Sequence, residues 1–388
     1  MTDETIRHLE LPTTTWRDAL AQPRAKLVDV RSPSEFALDH PTGARSVPLL
    51  NDDQRAQVGL IYKMQGPRQA YRQGLTLLET RIASLVEQLD GAQRPARDVA
   101  ALMKRLSALM EPGQVDPRLR ARAMSAAELE SESEPPILIY CWRGGMRSRA
   151  FTLLLRALGL PAAQILGGYK GYRKEVRNQL DQACFPPNFV IHGMTGCGKT
   201  ELLHKLTPRF PDSVLDLEGL AGHRSSILGD VGLEPRSQKA FETALCSWNK
   251  RQPRRTIVEG ESRKIGDLFI PERLWHAMTA GVHLCVEVPL AQRARRLVAE
   301  YFREDRRPLL TERLDFLASR MGAELGGELR RCFAQRDDQR TAELLLEHYY
   351  DPRYQHSSRH VDFAQRFDAQ DLDAAATAIA AWIEAAPS

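Results

Sequence analysis

Long apolar runs, paired cysteines, internal repeats and strong net charge are all missing from this 388-residue chain. No stretch approaches the roughly 18 apolar residues that a bilayer-spanning helix needs. Met1 to Glu10 lack the basic-then-apolar layout of a secretory signal, so a cytoplasmic location is expected. The six cysteines, Cys141, Cys184, Cys197, Cys246, Cys285 and Cys332, include no C-x-x-C pair, which argues against a zinc site or a disulfide framework. Each is therefore judged by its neighbours. Cys285 lies in the apolar run Val282-His283-Leu284-Cys285-Val286 and reads as core, Cys246 and Cys332 read as helix residues, and only Cys141 has reactive surroundings. The net charge is +4, from 54 basic and 50 acidic residues. The basic residues are mostly Arg, which suits forked contacts to phosphate and permits a nucleic-acid partner without demanding one. With 43% hydrophobic residues in 43.7 kDa, a sizeable core can be buried, most simply in two domains.

The apolar pattern alternates between short strands and helices. Leu27 to Arg31 reads as a strand, Ser32-Pro33-Ser34-Glu35-Phe36 as a helix start, Ala44 to Leu49 as a second strand and Pro136 to Tyr140 as a third, which delivers Cys141 at its carboxyl end. A helix over Arg149 to Leu158 and a strand closing on Gly167-Gly168 follow. This alternation predicts an α/β fold with a mainly parallel sheet, whose ligands sit at strand carboxyl ends. Residues 50–135 form a charge-rich helical insertion in a first domain over 1–182, with Glu128 to Pro136 as an exposed linker. Pro186-Pro187 mark the boundary to a second α/β domain over 188–388 with a helical carboxyl-terminal part. There the predicted order is strand Phe189 to His192, helix Glu201 to Leu206, and strands Ser213 to Leu217, Arg255 to Val258 and Val282 to Val288.

Two anion cradles carry the chemistry. In Cys141-Trp142-Arg143-Gly144-Gly145-Met146-Arg147-Ser148, the glycines let backbone amides turn inward, Arg147 can fork onto an oxyanion, and Ser148 can cap the following helix. A helix amino terminus, inward amides and Arg together favour a thiolate, the reactive form of cysteine. In Gly193-Met194-Thr195-Gly196-Cys197-Gly198-Lys199-Thr200, the pattern G-x-x-x-x-G-K-[ST] follows an apolar strand and precedes a helix, the context a phosphate loop requires. Lys199 and the loop amides would surround phosphate oxygens, and Thr200 would ligate Mg²⁺ where one is bound. No tightly bound cofactor or structural metal is expected. Candidates for an acidic partner are Asp216, Glu218, Glu259 and Glu261, while Arg224 and Arg263, read as lying beyond strand ends, are placed towards the anion. Asn249-Lys250-Arg251-Gln252 lacks the Asp of a guanine-reading element, which disfavours a regulatory GTPase. His192 reads as structural.

The cysteine loop, with Asp29-Val30-Arg31-Ser32-Pro33-Ser34-Glu35-Phe36 and the turn His40-Pro41-Thr42-Gly43-Ala44, resembles a rhodanese domain. That resemblance implies a chalcogen carried on Cys141. The five residues between Cys141 and Arg147 also match the spacing of cysteine-dependent phosphatases, and suit a tetrahedral anion such as a phosphorylated chalcogen donor. Asn51 to Lys63, Gly167-Gly168-Tyr169-Lys170-Gly171-Tyr172-Arg173, Asp216 to Arg224, Val258 to Arg263 and Tyr349-Tyr350-Asp351-Pro352-Arg353-Tyr354 are similar to the tRNA 2-selenouridine synthase family. Two stretches depart from it: Arg81 to Pro135 is longer, and Ser225 stands after Arg224 where a glycine is expected. The resemblance implies a transferase acting on wobble-position 2-thiouridine of tRNA, with geranyl diphosphate and then selenophosphate as donors and a geranylated intermediate. It also implies that Cys141 presents selenium while the phosphate loop holds the prenyl diphosphate.

Two mixtures of aromatic and cationic residues are candidate RNA contacts: Tyr62, Lys63, Arg68, Tyr71 and Arg72, and Tyr169, Lys170, Tyr172 and Arg173. Solvated helical faces have the same composition. Competing readings are a rhodanese-type sulfurtransferase or phosphatase fused to an ATP-dependent kinase-like domain acting on small molecules, and an anion-sensing module. The intact Cys141 and Lys199 speak against the last.

Overall fold

The computed structural model describes residues 11–90, 98–103, 135–186 and 188–386. Contacts divide the chain into two compact units, Met1–Asn178 and Gln179–Ser388. Most of the expected linker, up to residue 134, lies outside the described residues, as do Met1 to Glu10 and Pro187.

In the first unit, β1 (Thr13–Thr14), α1 (Trp16–Leu20), β2 (Lys26–Asp29), α2 (Pro33–Leu38) and β3 (Arg45–Ser46) precede the helices α3 (Asp52–Gln65), α4 (Pro67–Leu78) and α5 (Ile82–Asp90). Then come β4 (Ile137–Tyr140), α6 (Met146–Ala157), β5 (Ala162–Ile165) and α7 (Gly168–Gln182). The five strands form a sheet of order β1-β5-β4-β2-β3, parallel throughout. Continuous burial of Ile137, Leu138, Ile139 and Tyr140 explains why β4 reads as an unbroken apolar run, as a strand covered on both faces must. β4 is the middle strand, so Cys141 emerges at the centre of the sheet's carboxyl edge. In the insertion, Ile82, Leu85, Val86 and Leu89 recur at helical spacing on α5 and pack with Phe151, Leu154 and Leu155 of α6.

A buried polar network ties the sheet to α7. Arg31 pairs with Asp29 at 2.6 Å and donates to the Asp39 carbonyl at 2.8 Å, while its guanidinium lies 3.8 Å from the centre of the Tyr169 ring. The Asp39 carboxylate accepts from the Tyr169 hydroxyl at 2.7 Å and from Arg173 at 3.3 Å. Tyr169, Tyr172 and Arg173 are thus interior residues, and the expectation that they meet RNA is corrected. Their cations and rings are consumed by Asp39, Arg31 and Trp16, whose ring centre lies 5.0 Å from that of Tyr172.

In the second unit, β6 (Asn188–His192), α8 (Lys199–Leu206), β7 (Val214–Leu215), α9 (Leu217–Ala221), α10 (Gln238–Asn249) and β8 (Thr256–Glu259) are followed by the hairpin β9 (Lys264–Ile265) and β10 (Leu268–Phe269). Next come α11 (Glu272–Thr279), β11 (Val282–Glu287), α12 (Leu290–Tyr301), α13 (Arg307–Ala318), α14 (Ala323–Ala334), α15 (Asp338–Leu345), α16 (Asp351–Ser358), β12 (Phe363–Asp368) and α17 (Leu372–Ala385). A second all-parallel sheet has the order β12-β11-β6-β8-β7, again with the loop-bearing strand, β6, in the middle. Phe189, Ile191, Leu284 and Val286 cover one sheet face and pack on α8 and α17. β12 had no signature in the sequence because it is a half-exposed edge strand, Phe-Ala-Gln-Arg-Phe-Asp, with no apolar run. Among the described residues no helix is long and apolar enough to cross a membrane.

Replacing Tyr169 with Phe removes a donor from the buried Asp39 carboxylate, which costs about 1–3 kcal/mol. Tyr169→Phe should therefore melt about 3–8 °C below the wild type. An unchanged melting temperature would contradict a stabilising role for the Tyr169–Asp39 hydrogen bond.

Candidate functional site

Cys141 is almost fully buried, and its sulfur is reached by the Gly145 amide at 3.3 Å and by the Ser148 hydroxyl at 3.2 Å. α6 begins at Met146, three residues before the expected Arg149, with Gly145 as its N-cap. Ser148 therefore lies inside the first turn and cannot cap the helix; its hydroxyl sits against the sulfur instead. That hydroxyl has one proton and two acceptors in reach, the Cys141 sulfur and the Gly145 carbonyl at 3.1 Å. The Gln164 amide donates to the Ser148 oxygen at 2.9 Å and to the carbonyls of Gly144 and Gly145 at 2.7 and 3.3 Å. Gln164 has two protons for these three acceptors, and when they serve the two carbonyls the Ser148 proton can turn to the sulfur. Gln164 was missed in the sequence, where its only mark is a polar residue in the buried run Ala162–Ile165.

The first turn of α7 holds the other side of the loop: the amides of Tyr169 and Lys170 donate to the carbonyls of Cys141 and Trp142 at 2.7 and 3.0 Å. Gly168, at φ +55, permits this approach, since a Cβ there would collide with the Cys141 carbonyl and the Gly144 amide. Arg147 pairs with Glu35 at 3.2 Å, and Arg55 lies 3.8 Å from the same oxygen. Burial opposes ionisation of Glu35, but Arg147, the Ser32 amide and Arg55 outweigh it and hold the carboxyl below its ordinary value. Arg143 is exposed.

In the phosphate loop, Gly198 takes φ +87 immediately before α8, and Lys199 opens the helix with its ammonium 3.3 Å from the Gly193 carbonyl and 3.6 Å from Glu261. Burial works against the Lys199 charge, and Glu261, with the Cys197 thiol and Glu218, more than restores it. Outside the loop, Arg293 and Arg296 of α12 donate to the carbonyls of Thr195 and Cys197 at 3.2 and 2.6 Å, and Arg293 is itself fixed by Asp351 at 2.7 Å. With their carbonyls so held, the loop amides are left for an anion. These arginines were also missed; their i,i+3 spacing on α12 was the available signal. The Met194 carbonyl accepts from the Cys197 amide at 3.1 Å, closing the turn around Gly196. The Cys197 side chain is buried in the core and can offer a ligand only its backbone; burial pushes its thiol up.

The acidic candidates separate. Asp216 caps α9, accepting from the Gly219 amide at 2.7 Å, and pairs with His204 at 3.0 Å, so it is spent on structure. Glu259 is fully buried; one oxygen accepts from the Glu218 amide at 2.8 Å, and burial, then Asp216 and Glu218, push its carboxyl far above the usual range. Glu218 accepts from the Thr200 hydroxyl at 3.1 Å, so Glu218 and Glu261 are the carboxylates brought to Thr200 and Lys199. Arg224 follows α9 rather than a strand end and pairs with Glu300. Ser225 beside it has φ +31, a conformation favoured by glycine, where the family pattern led one to expect that residue. Arg224 and the exposed Arg263 both line a chamber of about 1540 Å³ that opens from the phosphate loop. Its walls include Trp275, Met278 and Val282, with Tyr349 and Tyr350 from a π turn at Leu346–Tyr350 and Tyr354 one turn further on. His192 lies on its floor, 2.9 Å from His283, and burial, then His283 and Lys199, lower it to about 3.

A cysteine loop at the end of one parallel sheet and a phosphate loop at the end of another define an α/β enzyme of the group-transfer kind. Residues 186–385 match the family model described as the tRNA 2-selenouridine synthase AAA domain. The tRNA 2-selenouridine synthase of Chromohalobacter salexigens is 33% identical over 357 residues, covering 85% of this chain and 87% of that protein. Those of Hydrogenovibrio crunogenus and Cronobacter sakazakii are 30% and 31% identical, covering 88% and 90% of this chain and 93% and 91% of theirs. The chain belongs to the tRNA 2-selenouridine synthase family.

Two outcomes follow from this geometry. Gln164→Leu should slow reaction of Cys141 with iodoacetamide at fixed pH by about tenfold, the value of one hydrogen bond to a charged group; an unchanged rate would remove Gln164 from the cradle. Burial, then Glu261, lift Glu218 to about 8 against Lys199 and Thr200. A carboxyl raised in the folded state contributes fully below its unfolded value of 4.5, and that contribution is lost as pH rises through about 8. Ligand-free Glu218→Gln should therefore lose less melting temperature than the wild type across that window, by about 2–4 °C. Parallel curves would contradict the assignment.

Proposed function

We propose that this protein converts 2-thiouridine at the tRNA wobble position to 2-selenouridine through a geranylated intermediate. Geranyl diphosphate serves the phosphate-loop unit and selenophosphate serves the Cys141 unit. The observation that carries the reading is the chamber: a phosphate cradle continuous with a wall of Trp275, Met278 and Val282 suits a charged head with an apolar tail. Thr200 and Glu218, 3.1 Å apart, fit the protein oxygens that Mg²⁺ on a diphosphate takes, with water and phosphate oxygens completing its shell.

In the first step the thiocarbonyl sulfur forms a bond to C1 of the prenyl group, the C1–O bond breaks and diphosphate leaves. Lys199 and the loop amides bind the departing charge. Alkylation at sulfur releases the N3 proton. The Glu261 carboxylate, 3.6 Å from Lys199, is the acceptor this site offers once diphosphate takes over the lysine. In the second step the Se–P bond of selenophosphate breaks in the Cys141 loop, the selenium, still at the selenide level, adds to C2, and geranylthiol departs. The phosphoryl group of selenophosphate passes to water in the net reaction, so neither oxidant nor reductant is required.

Mass spectrometry of wobble nucleosides, with each donor omitted in turn, tests the reading. Cys141→Ser should accumulate the geranylated nucleoside, and Lys199→Ala should lose geranylation by about 100-fold or more. Glu261→Gln should slow geranyl transfer while leaving diphosphate affinity equal or tighter. Normal 2-selenouridine formation by Cys141→Ser would overturn the reading.

A further inference from the structure

α3 is a 14-residue helix with no buried residue, although it carries Val58, Leu60, Ile61, Tyr62 and Met64. Val58 and Ile61, one turn apart, are half-buried, while Leu60, Tyr62 and Met64 are 58%, 57% and 76% exposed. Helices of folded units rarely leave so much of their circumference to water unless a partner covers it. The amino end is not loose. Asn51 forms a capping box with Gln54, the Asp52 carboxylate accepts from the Ser34 amide at 3.1 Å, and Arg55 shares Glu35 with Arg147 of the cysteine loop. The hairpin of α3 and α4 is therefore docked to the elements that hold Cys141, and its far end carries the exposed side chains.

The charge on that hairpin selects the partner. Over residues 52–78 four cations, Arg55, Lys63, Arg68 and Arg72, stand against two carboxylates, Asp52 and Asp53, and of the four Arg55 already faces Glu35. Lys63 and Arg68 are exposed, one and six residues beyond the open ring of Tyr62 in the chain. Cations beside an exposed aromatic ring are the chemistry that grips phosphates and stacks an unpaired base.

We propose that the α3–α4 hairpin is the docking surface for the single-stranded RNA loop that carries the acceptor base, with Tyr62 as the stacking platform and Lys63 and Arg68 on flanking phosphates. This rests on the reading of tRNA as substrate. Fluorescence anisotropy of labelled tRNA against salt, with the full-length protein, tests it. Tyr62→Ala should weaken binding about tenfold. Lys63→Glu with Arg68→Glu should lower the slope of log affinity against log salt by about 2. Because Tyr62 and Lys63 on α3 and Arg68 on α4 are all exposed, the variants should melt with the wild type. Equal affinity and slope in wild type and variants would overturn the surface alone, leaving the substrate reading intact. A wild type that binds no tRNA would overturn both. A dimer in sedimentation that Leu60→Asp with Met64→Asp dissociates, without change in RNA affinity, would assign the face to a second copy and overturn the proposal.

Discussion

The orientation of a few peptide groups governs both sites. A loop at the end of a parallel strand can present amides to an anion only if its carbonyls are turned away and satisfied elsewhere, because buried carbonyls left unpaired are costly. Each unit solves this with donors from neighbouring elements. Around Cys141, Gln164 takes the Gly144 and Gly145 carbonyls and the first turn of α7 takes those of Cys141 and Trp142. Around the phosphate loop, Arg293, Arg296 and Lys199 take the carbonyls of Thr195, Cys197 and Gly193. Apart from Lys199, the donors that hold these loops come from other elements of the same unit.

That division explains what could be read from the sequence. Loop identity is local: strand, Cys, two Gly, Arg, and strand, Gly-rich turn, Lys-Thr, announce themselves within eight residues, and both parallel sheets followed from the alternation of apolar runs with helix starts. The supports are non-local. Gln164 lies 20 residues from Gly144, and Arg293 lies 98 from Thr195, so nothing in either neighbourhood marks the pairing. The same distance effect misdirected the reading of Tyr169, Tyr172 and Arg173, whose composition suits RNA but whose partner Asp39 lies some 130 residues away. Asp216 and Glu218 were equivalent in sequence; the helix start at Leu217 separates them by turning the first into a cap and leaving the second beside Thr200.

The ligand-free phosphate site is internally compensated. Glu261 lies against Lys199, and Glu218 accepts from Thr200, so the two side chains a phosphate loop offers to its ligand are already engaged by carboxylates. In the proposed reaction an incoming diphosphate would exchange with them, coupling donor binding to the freeing of a carboxylate beside Lys199. The Lys199 and Glu261 side chains are only 16% and 10% exposed, so little water screens the interaction between them.

The central claim is that the phosphate-loop chamber holds a charged head together with an apolar chain. Calorimetric titration of the wild type with geranyl diphosphate, inorganic diphosphate and ATP, each with Mg²⁺, tests it most directly. The account predicts that geranyl diphosphate binds tightest, with a negative heat-capacity change from the buried chain that inorganic diphosphate lacks. Tightest binding by ATP, with geranyl diphosphate no better than inorganic diphosphate, would contradict it.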